Sequence, residues 1–359
     1  MKTSLYSQHV KLDSKIVDFA GFDMPVSYPA GINKESAAVR ENVGVFDVSH
    51  MGQILIKGNK AFEFVQYLTT NDITLLKKGD CQYTLMCNQD GGIIDDLILY
   101  CLDDGYLLVV NASNIDKDFN WIESHVMDDV SIENLSDNTS LIALQGPNSR
   151  RTLSELEGFE NILSDLKFYK FRKYNNSQTG IVSRTGYTGE LGYEIYGEHN
   201  FINDLWSKLT LEYGVQPVGL AARDILRLEM CYRLYGNDMN EEISPFECGL
   251  NWVVSKKANH FIGKDAIIER KKTMNRKIVY LEMKDRCIPR KGYRLISEER
   301  DVGYICSGTF SPNLKQGIAM AFVDIDQIKI NNIYVKIRDK MFLTNIVNNS
   351  FLMGTSLFE

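Results

Sequence analysis

Residues 81–111 read as three apolar, β-rich runs separated by turn residues, so the chain must fold around an antiparallel meander. The run CQYTLMC leads into the turn NQDGG. IIDDLILYC follows, then the turn LDDG, then YLLVVNA. β-Branched and aromatic runs bounded by Asn, Asp and Gly are strand and hairpin signals. A helix is predicted next, at about 115–127. Side chains on a strand alternate between its faces. Ile94, Asp96, Ile98 and Tyr100 therefore share one face, and Ile93, Asp95, Leu97 and Leu99 share the other. Both faces are apolar, so at least one carboxylate is set in an apolar wall, where ionisation is costly without a partner. Asp96, deeper in the strand, is the candidate for chemistry. Asp95 is the candidate for a structural acid that caps the turn at Gly91 and Gly92.

At 359 residues the chain is long for one core, and two or three domains are expected. Short helices are predicted over Lys34–Val43, ending at Gly44, and over Ala61–Leu68, with a strand, a turn and a strand in VFDVSHMGQILIKG between them. Thr139–Leu144 reads as a strand and QGPNSRRTL as a helix start. Residues 180–197 read as two strands around a glycine-rich turn. Asn203–Tyr213 suits a helix capped by Asn203, with Leu205, Trp206 and Leu209 on one face. GLAARDILRLEMCYRLYG predicts a strong helix that stops at Gly236. After Arg276 only short strands and turns remain: IVYLEM, GYRLI, GYICSG, IAMAFV, NIYVKI and FLTNIV. That stretch is expected to be a separate all-β barrel or jelly-roll.

Composition removes several function classes. The net charge of −7 disfavours DNA or RNA as the main ligand. Seven cysteines with no CxxC point to buried reduced thiols. Five scattered histidines with no HExxH make a transition-metal site unexpected. No run of about 20 apolar residues exists, so no membrane span is expected. The start MKTSLYSQHVKLDSKIVDFAGF has no apolar run of the kind a signal peptide needs, and a bacterial cytoplasmic location is the default. There is no GxGxxG, Walker A or GxSxG pattern. No bound metal or flavin is expected.

Two further constellations stand out. Arg223 and Arg227 lie four apart on the 219–235 helix, with Asp224 and Glu229 beside them. A surface salt-bridge array is the common reading. The apolar flanks PVGLAA and ILRLEM favour an Arg facing protein, where it clamps a carboxylate or a polar heterocycle. In RTGYTGELGYEI, Tyr187, Glu190, Tyr193 and Glu194 surround a turn whose Gly186, Gly189 and Gly192 are expected to supply positive φ. Aromatics with a carboxylate suit a flat heterocycle bearing donor nitrogens.

Together these segments resemble the glycine cleavage T-protein family. They are VDFAGFDMPV, VRENVGVFDVSHMG, NQDGGIIDDLILY, ALQGP, SRTGYTGELGYEI, GLAARDILRLE, PFECGLNWVV, FIGKDA, RKGY and VGYICSGTFSPNLKQGIAMAFV, in that family's order over nearly the whole chain. The resemblance implies an α+β fold of three domains in a cloverleaf, two of them interwoven and the third a C-terminal all-β jelly-roll or barrel. The expected division is 1–52 with about 139–155 and 224–276, then 53–138 with about 156–223, then 277–359.

The resemblance also implies a reaction. A lipoylated H-protein carries an aminomethyl group on its dihydrolipoyl arm. The one-carbon unit passes to tetrahydrofolate, giving 5,10-methylenetetrahydrofolate and ammonia. By motif, Asp96 is the implied catalytic carboxylate. Met51, Tyr83, Asn111, Tyr187, Glu194 and Arg223 are the implied folate contacts, with Glu194 and Arg223 holding the pterin. Phe168 stands where some members have Tyr, and the end SFLMGTSLFE lacks the family's frequent tyrosine or basic residues. Alternatives within the wider superfamily are another tetrahydrofolate-dependent demethylase and a non-catalytic folate binder. The folate-binding iron–sulfur assembly proteins are a further class, but they carry KGCxxGQ where this chain has FIGKDA.

Overall fold

The computed structural model describes residues 1–174, 180–257, 260–328 and 332–359. The chain opens with α1 (Tyr6–Lys11), a hairpin of β1 (Lys15–Phe19) and β2 (Phe22–Ser27), and α2 (Ile32–Glu41). Then come β3 (Gly44–Asp47), β4 (Gly52–Lys57) and α3 (Ala61–Leu68). The meander is β5 (Cys81–Cys87), β6 (Ile93–Cys101) and β7 (Tyr106–Val110), followed by α4 (Ile115–Ser124) and β8 (Ser131–Asn134). Next are β9 (Ser140–Gln145), α5 (Ser149–Ser154), α6 (Glu160–Leu163), β10 (Phe171–Lys173), β11 (Ile181–Ser183) and β12 (Gly192–Gly197). α7 (His199–Ser207), β13 (Gln216–Pro217), α8 (Leu220–Glu229) and α9 (Lys264–Thr273) complete the mixed part. The last stretch is β14 (Arg276–Met283), β15 (Arg294–Ser297), β16 (Arg300–Ser311), β17 (Gln316–Asp324), β18 (Tyr334–Ile337) and β19 (Lys340–Val347).

Two open sheets and a barrel result. The meander lies in a five-stranded sheet ordered β5-β6-β7-β4-β8. The second sheet has six strands, β10-β11-β12-β9-β3-β13. The strands after residue 276 close into a barrel, β14-β17-β16-β15-β18-β19, as their six apolar runs led one to expect.

The two open sheets face each other. Phe46, Ala143, Ile181 and Tyr196 of the six-stranded sheet pack with Leu55, Tyr100, Leu107 and Val109 of the other, and with Ala222 and Leu226 of α8. Each such large apolar side chain contributes roughly 1.5–3 kcal/mol on burial. α3 and α4 cover the outer face of the five-stranded sheet, through Phe64, Val65, Leu68 and Ile122 against Ile54, Leu97, Leu99 and Leu108. A buried ionic cluster ties the parts together. Arg40 of α2 donates to Glu190 at 2.8 Å and to Glu229 of α8 at 2.7 Å. Asn313, beyond β16, donates to Glu229 at 2.8 Å, and the Ser356 N–H donates to Glu190 at 2.9 Å.

β12 pairs with β9 and β13 with β3, while β10 and β11 extend that sheet beyond β12. Three local expectations differ from the structure. Asn203 does not cap a helix: α7 starts four residues earlier, and the Asn203 amide donates to the carbonyls of His199 and Ser4. α8 ends at Glu229, not near Gly236, because the Arg227 guanidinium takes the Tyr232 carbonyl at 3.0 Å and Cys231 turns to φ 57°. In the glycine-rich turn only Gly189 has positive φ; Gly186 and Gly192 instead leave room for Gln145, which a Cβ at either would strike.

All seven thiols are unpaired, with six buried and Cys287 half-buried. Among the described residues no helix is long and apolar enough to cross a membrane, and no group of three or more His, Cys, Asp or Glu could hold a metal ion.

Candidate active site

β6 carries its two acids to opposite sides of the five-stranded sheet. Asp95 points with Leu97 and Leu99 toward the helices and is fully buried. It does not cap the glycine turn as expected. It accepts the Asn111 backbone N–H at 3.0 Å, the Asn111 amide at 2.8 Å and the Asn114 amide at 2.7 Å, which pin the end of β7 to β6. The glycine turn is held by Asn88 instead, whose Oδ1 accepts the Gly92 N–H at 2.9 Å.

Asp96 points the other way, between the sheets, and is half-buried. Its register partner on β5 is Leu85, so Tyr83 lies diagonally across the same face. The Tyr83 hydroxyl donates to one carboxylate oxygen at 3.0 Å, and the Asn111 amide donates to the other at 2.8 Å. Burial and the neighbouring Asp95 charge push Asp96 up to about 7, against the pull of these two donors. The acid is thus poised to exist in both forms near neutrality, a property concentrated at catalytic sites. Tyr83 is itself stacked on Trp252, with ring centroids 5.6 Å apart.

Glu194 enters from the facing sheet. β12 alternates so that Glu194 and Tyr196 look toward β6, and the Tyr196 hydroxyl meets that of Tyr100 at 2.8 Å where the sheets touch. The Thr185 hydroxyl donates to Glu194, and burial raises the carboxyl above its usual range. Arg223 reaches in from α8. Its guanidinium lies over the Tyr187 ring at 4.8 Å, and burial lowers it against the opposing pull of Tyr187 and Glu194. The Nη1 atom is buried with no hydrogen-bond partner among the described residues. Tyr187 donates its hydroxyl to the Arg233 carbonyl and stacks on Tyr232 at 5.8 Å. Met51, in the β3–β4 turn, packs against the inter-sheet core, as Ile98 and Tyr169 also do. Beside it, burial, aided by the Arg223 charge, lowers His50 to about 4, so this ring is neutral near pH 7.

These seven positions therefore gather where the two sheets and α8 meet. Asp96, Tyr83 and Asn111 come from the meander, Glu194 and Tyr187 from the facing turn and strand, Arg223 from α8 and Met51 from the β3–β4 turn. A buried guanidinium nitrogen without a hydrogen-bond partner among the described residues, and a carboxylate near enough to feel its charge that accepts from one hydroxyl, offer a donor and an acceptor to a polar ring. Arg227, the other arginine of the α8 pair, is structural. It is saturated by Asp224, Asp238, Tyr232 and Ser307 and fastens α8 to β16.

Sequence reasoning missed two aromatic neighbours of this site. Tyr169 stands in the left-handed region at φ 58°, packs against the inter-sheet core and feels the charges of Glu194 and Asp96. Trp252 is 63% exposed above Tyr83. The single Trp inside the quoted PFECGLNWVV segment was the available signal for it; nothing local marks Tyr169. A cavity of about 540 Å³ lies elsewhere, against the barrel, lined by Glu247, Arg276, Arg294, Asp301, Tyr304 and Asp324. Its two arginines are already paired, Arg276 with Glu247 at 2.9 Å and Arg294 with Asp301 at 2.6 Å.

The sequence model of the GCVT N-terminal domain matches residues 5–258, and that of the glycine cleavage T-protein C-terminal barrel domain matches residues 276–352. A protein named aminomethyltransferase from Thermotoga maritima is 48% identical over 330 residues, covering 90% of this chain and 89% of the relative. Another of that name, from Thermosipho melanesiensis, is 44% identical over 358 residues, covering 98% and 97%. The crystal structure of glycine cleavage system aminomethyltransferase T from Bartonella henselae has a TM-score of 0.92 at 33% identity, over 98% of both chains. The chain belongs to the glycine cleavage T-protein, or aminomethyltransferase, family.

Proposed function

We propose that this chain moves the one-carbon unit of an aminomethyl group, carried on the dihydrolipoyl sulfur of an H-protein partner, to tetrahydrofolate. The products are 5,10-methylenetetrahydrofolate, ammonia and the reduced lipoyl arm, and a cytoplasmic location is part of the proposal. One observation supports it: Asp96, raised to about 7, lies between the sheets near Tyr187, whose ring carries Arg223 with its buried nitrogen without a partner among the described residues, and Glu194 feels the same arginine. In this reading a reduced pterin offers ring N–H and amino donors to Glu194 and a carbonyl acceptor to Arg223. Tyr83, Asn111, Tyr187 and Met51 line its faces and edges.

Breaking the C–S bond leaves an iminium-like carbon and a thiolate. A folate nitrogen attacks that carbon, the second folate nitrogen closes the ring, and the original amine leaves as ammonia. The protein need not supply a nucleophile. Ionised Asp96 stabilises the cationic carbon and the folate nitrogens around it, and the sheet-to-sheet gap restricts water. Tyr83 and Asn111 hold the carboxylate in place. Turnover with tetrahydrofolate and aminomethyl-loaded lipoyl H-protein tests the proposal. Formation of methylenetetrahydrofolate with stoichiometric ammonia is expected. Demethylation of dimethylglycine or sarcosine without it would favour the demethylase alternative, and folate binding with no turnover would favour the non-catalytic one.

A further inference from the structure

A second buried acid lies behind the first pair. Asp118, in the first turn of α4, is fully buried and meets Asp95 across the outer face of β6. Neither of its carboxyl oxygens receives a hydrogen bond from any donor among the described residues. The nearest cation does not serve it. The Lys117 ammonium donates to the Ile94 carbonyl at 2.6 Å and the Tyr235 hydroxyl at 2.7 Å, and pairs with Glu241 at 3.5 Å. Asp95 is the opposite case, accepting three N–H groups.

An ionised carboxylate only accepts, whereas a protonated one has an O–H to give. Of two acids in contact, the one served by three donors keeps the charge, and the one without donors keeps the proton. A helix first turn favours an anion only weakly. Burying an unpaired carboxylate costs far more, so burial decides.

We propose that Asp118 is a neutral acid whose O–H donates to the Asp95 carboxylate, and that this pair positions Asp96 through Asn111. The path is short. The Asn111 amide nitrogen donates to Asp95 and to Asp96, both at 2.8 Å, so what Asp95 receives from behind alters what Asn111 gives in front. Burial first, then the Asp95 charge, raises Asp118 to about 11; Asp96 adds to this and Lys117 opposes it. Asp118 keeps its proton throughout turnover; it is a positioning residue. The placement of the proton stands without any reading of function, and the positioning half rests on the role proposed for Asp96.

Two variants test it. Asp118→Asn keeps shape and an N–H donor, while Asp118→Ala keeps neither. The folded value lies far above the unfolded carboxylate value of about 3.9, so wild type takes up one proton on folding and loses stability as pH rises between the two. The ratio of wild-type to Asp118→Asn unfolding constants should therefore rise about tenfold per pH unit between roughly pH 6 and 8. A protonated-carboxyl infrared band should persist in the substrate-free protein at about pH 9, where Asp96 is ionised, and vanish in Asp118→Asn. A flat ratio with no such band overturns the proton placement.

In turnover, Asp118→Ala leaves Asp95 drawing harder on Asn111, so Asp96 loses donation and its acid limb moves up by half a pH unit or more, an order-of-magnitude expectation. Asp118→Asn should overlay wild type. An unmoved limb in Asp118→Ala overturns the positioning half; should that variant fail to fold, Asp118→Val is read in its place. A wild-type enzyme with no acid limb would instead sink the role of Asp96, and the two substrate-free readouts would still stand.

Discussion

A carboxyl with its ordinary value would stay ionised at every physiological pH; Asp96 does not, because burial and Asp95 oppose its charge more than Tyr83 and Asn111 support it. If its ionised form stabilises the iminium-like carbon, turnover falls as pH drops through about 7, and a pH–rate profile checks this. Asp96→Asn should cost roughly a hundredfold or more in turnover. The same shift has an opposite sign for stability. Because the folded value is above the unfolded one, Asp96 lowers stability progressively as pH climbs from about 4 to about 7, so Asp96→Asn should melt higher than wild type at pH 8. An inactive variant that also melts lower would point to a structural acid. Asp95→Asn should do the reverse, losing about 1–3 kcal/mol in urea unfolding, since its NH2 must replace an oxygen that accepts at least one of the three N–H donors. Glu194→Gln and Arg223→Ala should each weaken tetrahydrofolate binding by roughly tenfold or more by isothermal titration, the effect of about 1.4 kcal/mol. Asp96 was legible because an acid inside an apolar alternating run is anomalous. The work of Asp95 was not, because its partners Asn111 and Asn114 lie across a hairpin, and a one-dimensional pattern holds no trace of which amide returns to which acid.

What aims β6 is its packing at the turn. The Ile93 N–H donates to the Asn240 carbonyl at 3.0 Å, and a Cβ built on Gly92 would stand 1.6 Å from the Glu241 carbonyl oxygen. Only a residue with no side chain lets the 240–243 loop lie this close. Gly92→Ala should therefore lose about 1–3 kcal/mol in chemical unfolding, with reduced turnover because Asp95 and Asp96 follow the strand. A variant as stable and active as wild type would show that the loop yields freely. The meander and the six barrel strands were readable because period-two alternation between turn residues is a local signal. The end of α8 was not: MCYRL continues a helix by propensity, and the break comes from Arg227 taking the Tyr232 carbonyl while reaching Asp238 and Ser307. The pairing of β12 with β9 and of β13 with β3 was likewise beyond local pattern, since strand partners as far apart as Val45 and Pro217 leave no periodic mark.

Across the whole molecule, Arg40 is the residue on which the parts converge, with α2, the turn before β12, α8, the barrel and the chain near Ser356 all meeting at its two carboxylates. Removing it strands Glu190 and Glu229 as buried charges, so Arg40→Met should lose about 3–5 kcal/mol in urea unfolding. A small change would mean that water or another cation replaces it readily. The arrangement of the sheets carries a consequence for how the protein behaves in a crowded solution. The barrel has no rim, its six strands being closed on themselves. The outer strands of the open sheets are poor templates: β8 is four residues long and carries Glu133, β10 is three residues long with Arg172 and Lys173, and β13 is two residues long with Pro217. Among the outer strands of the five- and six-stranded sheets, β5 is the long one, and the segments around Thr69 and Lys170 already bond to it and its approach. Strand-by-strand growth onto a neighbouring copy, the step that seeds fibrous aggregates, therefore finds no purchase along these described edges.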